Sequence, residues 1–531
     1  MEFDFVIVGA GSAGCALANR LSADPRVKVA LLEAGGKDRS PWIHIPVGYF
    51  KTIKDPSLNW MYRTEPDPGL NGRALNWPRG KTLGGSSSIN GLLYVRGQRE
   101  DYDLWRQQGN VGWSWDDVLP LFKRAENWEG GEDAVRGGEG PLAVSRSLKS
   151  WKVVDAWVDA AQQAGFRYND DYNGRDQEGV GYFQMTARDG LRCSSAKAYL
   201  APIRKRENLA IITGFHTQNI VFDGRRAVGV RGLQNGMPQL VKARGEIILS
   251  AGAIGSAQIL MLSGVGGGEQ LSDHGIQTLV DNAFVGKNLQ DHLQARPVYK
   301  VRVPTINTRT RGLMNMARIG AEYALKRSGP MTMAASLGTG FLKTRPELAT
   351  PDIQFHIQPF SAENPTTGVD SFDAFTASVL QLRPESAGEL KLRSARPEDH
   401  PAIHPNYLAT QTDQETIVNG IRMARRICGQ KALEPLITEE HAPGRNVPDD
   451  DFDGLLDWAR NTATTIYHPT GTCRMGVDER AVVDPRLRVM GVDGLRVADC
   501  SIMPTIVSGN TNAPAIMIGE KASDMILEDM H

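Results

Sequence analysis

The segment FDFVIVGAGSAGCALANRLS (3–22) restricts this 531-residue chain more than any other. An apolar, β-branched run (3–8) reads as a buried strand, and 13–21 has helical periodicity. Between them Gly9, Gly11 and Gly14 form G-x-G-x-x-G. VKVALLEAG (27–35) reads as a second buried strand, so the unit is β-α-β and its sheet parallel, with both faces covered. In that context the glycines have separate tasks. Gly9 permits the tight turn, Gly11 lets backbone approach a pyrophosphate, and Gly14 lets helix pack on strand. Ser12 and Ala13 open the helix, whose dipole and free N–H groups face the phosphates. Glu33, followed by Ala34, ends the second strand. A carboxylate there suits an adenosine ribose and repels a 2′-phosphate.

The fingerprint alone serves NAD or FAD. Its place at the start of the chain, with further glycine-rich loops hundreds of residues away, favours FAD. The balance of 60 basic against 61 acidic residues gives no electrostatic case for nucleic acid. Five cysteines, widely spaced and without C-x-x-C, suggest neither zinc nor a disulfide framework, and a reducing compartment fits. The N-terminus enters the first strand without a visible secretory signal, and no apolar stretch is long enough to span a bilayer. The expected location is cytoplasmic, with peripheral contact at the inner membrane face left open.

The rest of the chain alternates between two kinds of pattern. Region 36–97 is a long excursion rich in Pro, Gly, Trp and Asn, and such loops are usually functional. Strand patterns follow around 208–250, with Asp223-Gly224 as a hairpin turn. DIQFHIQPF and FTASVLQLRP look like strands of a different, antiparallel sheet.

Five segments, in order, resemble the glucose-methanol-choline (GMC) flavin oxidoreductases. They are GKTLGGSSSINGLLYVRG (80–97), GAIGSAQILMLSGVG (252–266), VGKNLQDH (285–292), YHPTGTCRMG (467–476) and RVADCSIMPTIVSGNTNAPAIMIGEKASD (496–524). Ala257 departs slightly from the family pattern. The motifs look most like the choline-dehydrogenase-like branch that includes aliphatic alcohol dehydrogenases. The resemblance implies an α/β fold: a Rossmann-like FAD-binding domain (1–150, 195–297 and 460–531) interleaved with an α+β substrate domain (151–194 and 298–459) on an antiparallel sheet.

It also implies the site. Leu83, Gly84, Asn90, Gly91, Leu92 and Leu93 carry over as cofactor contacts, as do Tyr467, Asp499 and Ala513. Trp60 carries over to a position near the isoalloxazine. His468 is expected to be the base that takes the alcohol proton while hydride passes to flavin N5, with Asn512 as its amide partner and Asn510 the first of the two asparagines. An imidazole titrates near neutrality, and an amide can only orient the oxygen. The other nine histidines are read as structural, and no metal site is expected. Ile89 stands where some relatives attach FAD through histidine, so non-covalent FAD is expected. Leu337 stands where choline-oxidising relatives carry a glutamate; with Tyr467 it is assigned to the substrate pocket. The expected activity is oxidation of an aliphatic or aromatic primary alcohol to the aldehyde, with electrons passed to a quinone or other acceptor. An oxidase releasing H2O2, a choline dehydrogenase and a non-redox lyase on this fold remain alternatives, and the oligomeric state is open.

Overall fold

A computed structural model describes residues 1–147, 151–362 and 368–530. The domain boundary expected at 150 and His531 lie outside the described residues.

Two sheets organise the chain. The first has the order 209–213, 29–33, 2–8, 237–249, 226–234, 215–223, with Leu495–Val497 also paired to Met237–Leu249. Glu2–Val8 pairs in parallel with its neighbours on both sides, and Val29–Glu33 is buried at every residue. That is why these strands read as continuous apolar runs rather than alternating ones. The 13-residue strand Met237–Leu249 serves two partners. Its first half closes an antiparallel meander with Arg226–Gln234, and its second half joins the parallel strands. The meander turns at Asp223 and Gly224, where Gly224 has φ +57°.

Against this sheet lie the fingerprint helix Ser12–Leu21 and the closing helix Asn512–Asp529. A Cβ on Gly519 would stand 2.5 Å from the Ala13 carbonyl oxygen, so glycine lets the two helices touch. Beside that contact the fully buried Glu520 is held by Arg20, Arg124 and the Tyr199 hydroxyl.

The second sheet is antiparallel throughout, in the order 437–442, 298–301, 374–381, 353–358, 338–342, 179–182. Leu293–Ala295 pairs with the strand 374–381 and with Thr464–Thr465. These two short strands come from stretches that the sequence division gives to the cofactor domain. Helices Lys152–Gln163 and Gln411–Cys428 cover one face of this sheet; Gly420 lies so close to Val379 that a Cβ there would be 2.8 Å from Cγ2. Phe375, Ala377 and Val379 share that face, because side chains alternate along a strand. Thr376, Ser378 and Leu380 share the opposite face.

Candidate active site

Between the two sheets lies a cavity of about 770 Å3. Its first-sheet end is built by glycines. Gly9 has φ +104°, and a Cβ on Gly14 would stand 1.9 Å from the Gly9 carbonyl oxygen. A Cβ on Gly85 would stand 2.7 Å from Gly11 Cα, and Gly84 N–H donates to Ala10. The two glycine loops therefore lie backbone to backbone at the cavity wall.

Three helix N-termini reach this wall: Ser12, Gly252 and Asn512 all line it. Ser12 Oγ donates to Asn512 Oδ1 at 2.8 Å, tying two of them together. Asp499 accepts from Gly252 N at 2.8 Å and from Ser256 Oγ at 2.6 Å, tying in the third. Converging dipoles and free N–H groups favour an anion such as a pyrophosphate. Glu33 accepts from the Ala10 and Gly35 amides at 3.0 and 2.8 Å, and burial pushes its carboxyl up to about 7. A carboxylate has lone pairs to spare beyond those two bonds for ribose hydroxyls. The glycine cradle, the helix termini and the carboxylate fit a flavin dinucleotide.

Of the sequence-predicted contacts, Gly9, Gly11, Ser12, Ala13, Glu33, Ala34, Trp60, Asn90, Gly91, Leu93, Tyr467 and Asp499 line the cavity. Gly14, Leu83, Gly84, Leu92 and Ala513 stand behind the wall. Leu92, at φ +66°, turns into a separate buried cluster. Trp60, expected near the isoalloxazine, lines the cavity. Its ring lies against Lys81 Nζ at 4.6 Å and His216 at 5.7 Å, and Lys81 acts electrostatically on Glu33. That places Trp60 toward the Glu33 end of the cavity. Leu337 is 1% exposed and belongs to the apolar core; Ala335 and Ser336 just before it line the cavity instead. Asn90 is fixed from behind by the buried Arg192, which donates to its side-chain and main-chain oxygens at 2.6 and 2.8 Å.

His468 lines the cavity at the second-sheet end. Its backbone N–H donates to Asp291 Oδ1 at 2.6 Å, and the preceding Tyr467 sits at φ +70°, an uncommon conformation for a non-glycine residue. Asp291 also accepts from Thr465 and Tyr407, and burial pushes it up to about 6. The His468 ring has two partners. Nε2 meets Asn510 Nδ2 at 3.1 Å, and Nδ1 meets His292 Nδ1 at 3.0 Å. Burial, then the His292, His356 and Arg79 charges, hold His468 well below the ordinary histidine range.

Two expectations change here. The asparagine on His468 is Asn510. Asn512 is the first residue of the closing helix, and its side chain is engaged by Ser12. Pro514, inside the first turn of that helix, was the available signal, since proline is tolerated only where helix N–H groups are unpaired. Second, His292 and His356 are not remote structural histidines: one contacts His468 and the other lines the cavity. Their signal was alternation. In DIQFHIQ, Gln354, His356 and Gln358 alternate with three apolar residues, and His292, Gln294 and Arg296 follow the same period. Both runs give a buried strand a polar face. Among the described residues no cluster suited to a metal ion occurs.

Comparison with known proteins agrees with this geometry. Two family models described as GMC oxidoreductase match residues 3–294 and 384–519. The chain is 44% identical to an alcohol dehydrogenase [acceptor] of Pseudomonas putida, over 99% of this chain and 96% of that protein. It is 43% identical to the mitochondrial choline dehydrogenase of Mus musculus, over 99% and 89%. Among solved structures, pyridoxine 4-oxidase from Mesorbium loti superposes with a TM-score of 0.90 at 30% identity, covering 100% of this chain and 99% of that one. The chain belongs to the GMC oxidoreductase family, FAD-dependent enzymes acting on CH–OH donors.

Proposed function

We propose that the protein oxidises a primary alcohol to the aldehyde, with His468 as base and Asn510 as its partner, and passes the electrons to a quinone or similar acceptor. The observation that carries this reading is the His468–Asn510 pair on the wall of the cavity whose other end fits FAD. The glycine cradle and the three helix N-termini would hold FAD, which would supply the hydride acceptor.

The protein's own part is the proton. His292 Nε2 donates to the Leu382 carbonyl at 2.9 Å, because a carbonyl can only accept. Burial pushes His292 down to about 4, so it is neutral and its Nδ1 is an acceptor. His468 Nδ1–H therefore donates to His292, which leaves His468 Nε2 unprotonated. That lone pair faces Asn510 and the cavity, where it can take a hydroxyl proton. Asn510 Nδ2–H, already directed at Nε2, is placed to orient the alcohol oxygen between the two.

The wall also bears on the substrate. The only carboxylates on it among the described residues are Glu33 and Asp499, both engaged at the FAD end. Among the described residues no further carboxylate lines the cavity to meet a trimethylammonium group, which weighs against choline. Ile89 at the cavity cannot form the histidyl link, which supports non-covalent FAD. Anaerobic titration with a panel of primary alcohols tests the reading: bleaching of the flavin is expected, and an unbleached flavin across the panel refutes it. Re-oxidation in air measures any oxidase activity.

No helix among the described residues is long and apolar enough to cross a membrane. Peripheral contact is a further part of the reading, through helix Leu313–Lys326 at the cavity mouth, where Met316 and Ile319 line the opening.

A further inference from the structure

The sheet wall of the cavity carries more polarity than alcohol oxidation uses. Cross-strand partners share a face, and Gln294 pairs with Leu380, Leu380 with Gln354, and Ser378 with His356. Four polar atoms on this face are buried without a partner: Gln294 Oε1, Gln354 Oε1, His356 Nε2 and Ser378 Oγ. Gln294 is 7% exposed and His356 4%, and both line the cavity. Native proteins pair the great majority of such atoms, so a group of four on one face points to a ligand there.

Arg296 completes the pattern. It follows Gln294 by two residues, lines the cavity, and donates to Gln358 Oε1 at 3.3 Å. No salt bridge to Arg296 occurs among the described residues; burial holds its guanidinium below the usual arginine range, opposed only in part by the more distant charges of Tyr467, Tyr49 and Asp370. A cation taken partly out of water without an adjacent counter-ion is costly, and an arriving anion relieves that cost. Arg296 lies four residues beyond His292, roughly 13 Å along an extended chain. His292 contacts His468, so the cation and the base stand several carbon–carbon bonds apart along one wall.

We infer that this wall is a carboxylate subsite centred on Arg296, and that the substrate is a primary alcohol carrying a carboxylate several carbons from the hydroxyl. Gln358 and His356 supply further donors, and the apolar side chains of Phe360, Ile466 and Met331 on the same cavity flank the intervening chain. The inference rests on the alcohol-oxidising reading above and goes further by naming the other end of the substrate.

Two measurements on the FAD-loaded enzyme test it. The first needs no turnover: straight-chain alkanoates and their neutral amides are titrated against the oxidised enzyme, followed by the flavin spectrum. The alkanoate should bind about tenfold more tightly than its amide. Arg296→Leu should remove that difference, and Arg296→Lys should keep part of it. Equal binding of acid and amide by the unmodified enzyme overturns the subsite, whatever the enzyme's activity. The second compares kcat/KM for ω-hydroxy acids with alkanols of equal length. The ratio should favour the acid and fall about tenfold in Arg296→Leu. A ratio that favours the alkanol and does not move in the variant also overturns it. Failure of every alcohol, with the alkanoate preference intact, instead refutes the alcohol-oxidising reading and leaves the anion site standing.

Discussion

At the scale of single residues, the two asparagines of GNTNAP separate two roles that sequence spacing could not. Asn510 contacts His468 Nε2, whereas Asn512 joins the helix that carries it to the fingerprint helix through Ser12. Asn510→Ala should therefore lower kcat by about a hundredfold with flavin content retained, the size expected for losing one oriented donor at a developing oxyanion. Asn512→Ala should lower FAD occupancy, with kcat per bound flavin kept within a few-fold. Steady-state rates normalised to flavin absorbance check both, and the reverse pattern would return the catalytic role to Asn512. His292 is a positioning residue by the same reasoning. His292→Phe removes the acceptor for His468 Nδ1–H and frees the ring to take the other tautomer. His292→Gln restores an acceptor in its amide oxygen. The Phe variant should lose most of kcat and the Gln variant recover part of it, with the acid limb of the kcat/KM pH profile displaced in both. Loss to the same extent in both variants would reduce His292 to a packing role.

At the scale of elements, the parallel strands, the glycine turn and its helix were legible because each obeys a local rule: an apolar run, a turn that only glycine permits, a helical period. The polar strand 353–358 was legible as a strand and the run 292–296 was not, and the purpose of neither polar face was legible. Period 2 says that alternate residues share a face, and only the tertiary pairing says what that face meets. Trp60 shows the same limit, since its position along the chain gave no hint that Lys81 and His216 hold it toward Glu33. The buried face has a measurable consequence. Burial pushes His356 down to about 3, so the folded protein keeps it neutral while the unfolded chain protonates it below about pH 6.5. Between those values the unfolded state binds more protons, and stability from this group is lost as pH falls. Asp291 and Glu33 act oppositely, since burial raises both and they gain protons on folding as pH falls, so the total profile is a poor probe. The difference between His356→Gln and the unmodified protein isolates the histidine. Relative to pH 7, the variant should gain on the order of 2 kcal/mol by pH 5. Thermal melts at the two pH values read this, and a constant difference would show that His356 takes up its proton in the fold as readily as in the unfolded chain.

At the scale of the whole molecule, the sequence segments that form the cofactor end were recognisable across the full chain, but the surface that meets the surroundings carried no motif. Helix Leu313–Lys326 buries only Tyr323, while Leu313 is 91% exposed, Met314 86% and Leu325 83%. Apolar side chains held in water at that density mark a surface that meets something else. Arg309, Arg311, Arg318, Lys326 and Arg327 accompany them, against the single acidic Glu322. A second copy meeting the first about a twofold axis would bring these cations against their own equivalents. A bilayer with anionic headgroups instead offers both an apolar boundary and opposite charge. Met316, Ile319 and Thr310 line the opening of the cavity, so docking by this helix would turn the active-site mouth toward the lipid, where a quinone is dissolved. The full-length enzyme should co-sediment with vesicles containing anionic phospholipid, bind purely zwitterionic vesicles much more weakly, and dissociate as salt rises, because surface electrostatics are screened over about 10 Å at 0.1 M. Replacing Leu313, Met314 and Leu325 together by Glu should abolish sedimentation while turnover of a water-soluble alcohol with a soluble dye acceptor persists. If the triple variant still sediments, or if it changes the oligomeric state in a vesicle-free gel-filtration run, the helix meets protein and not lipid.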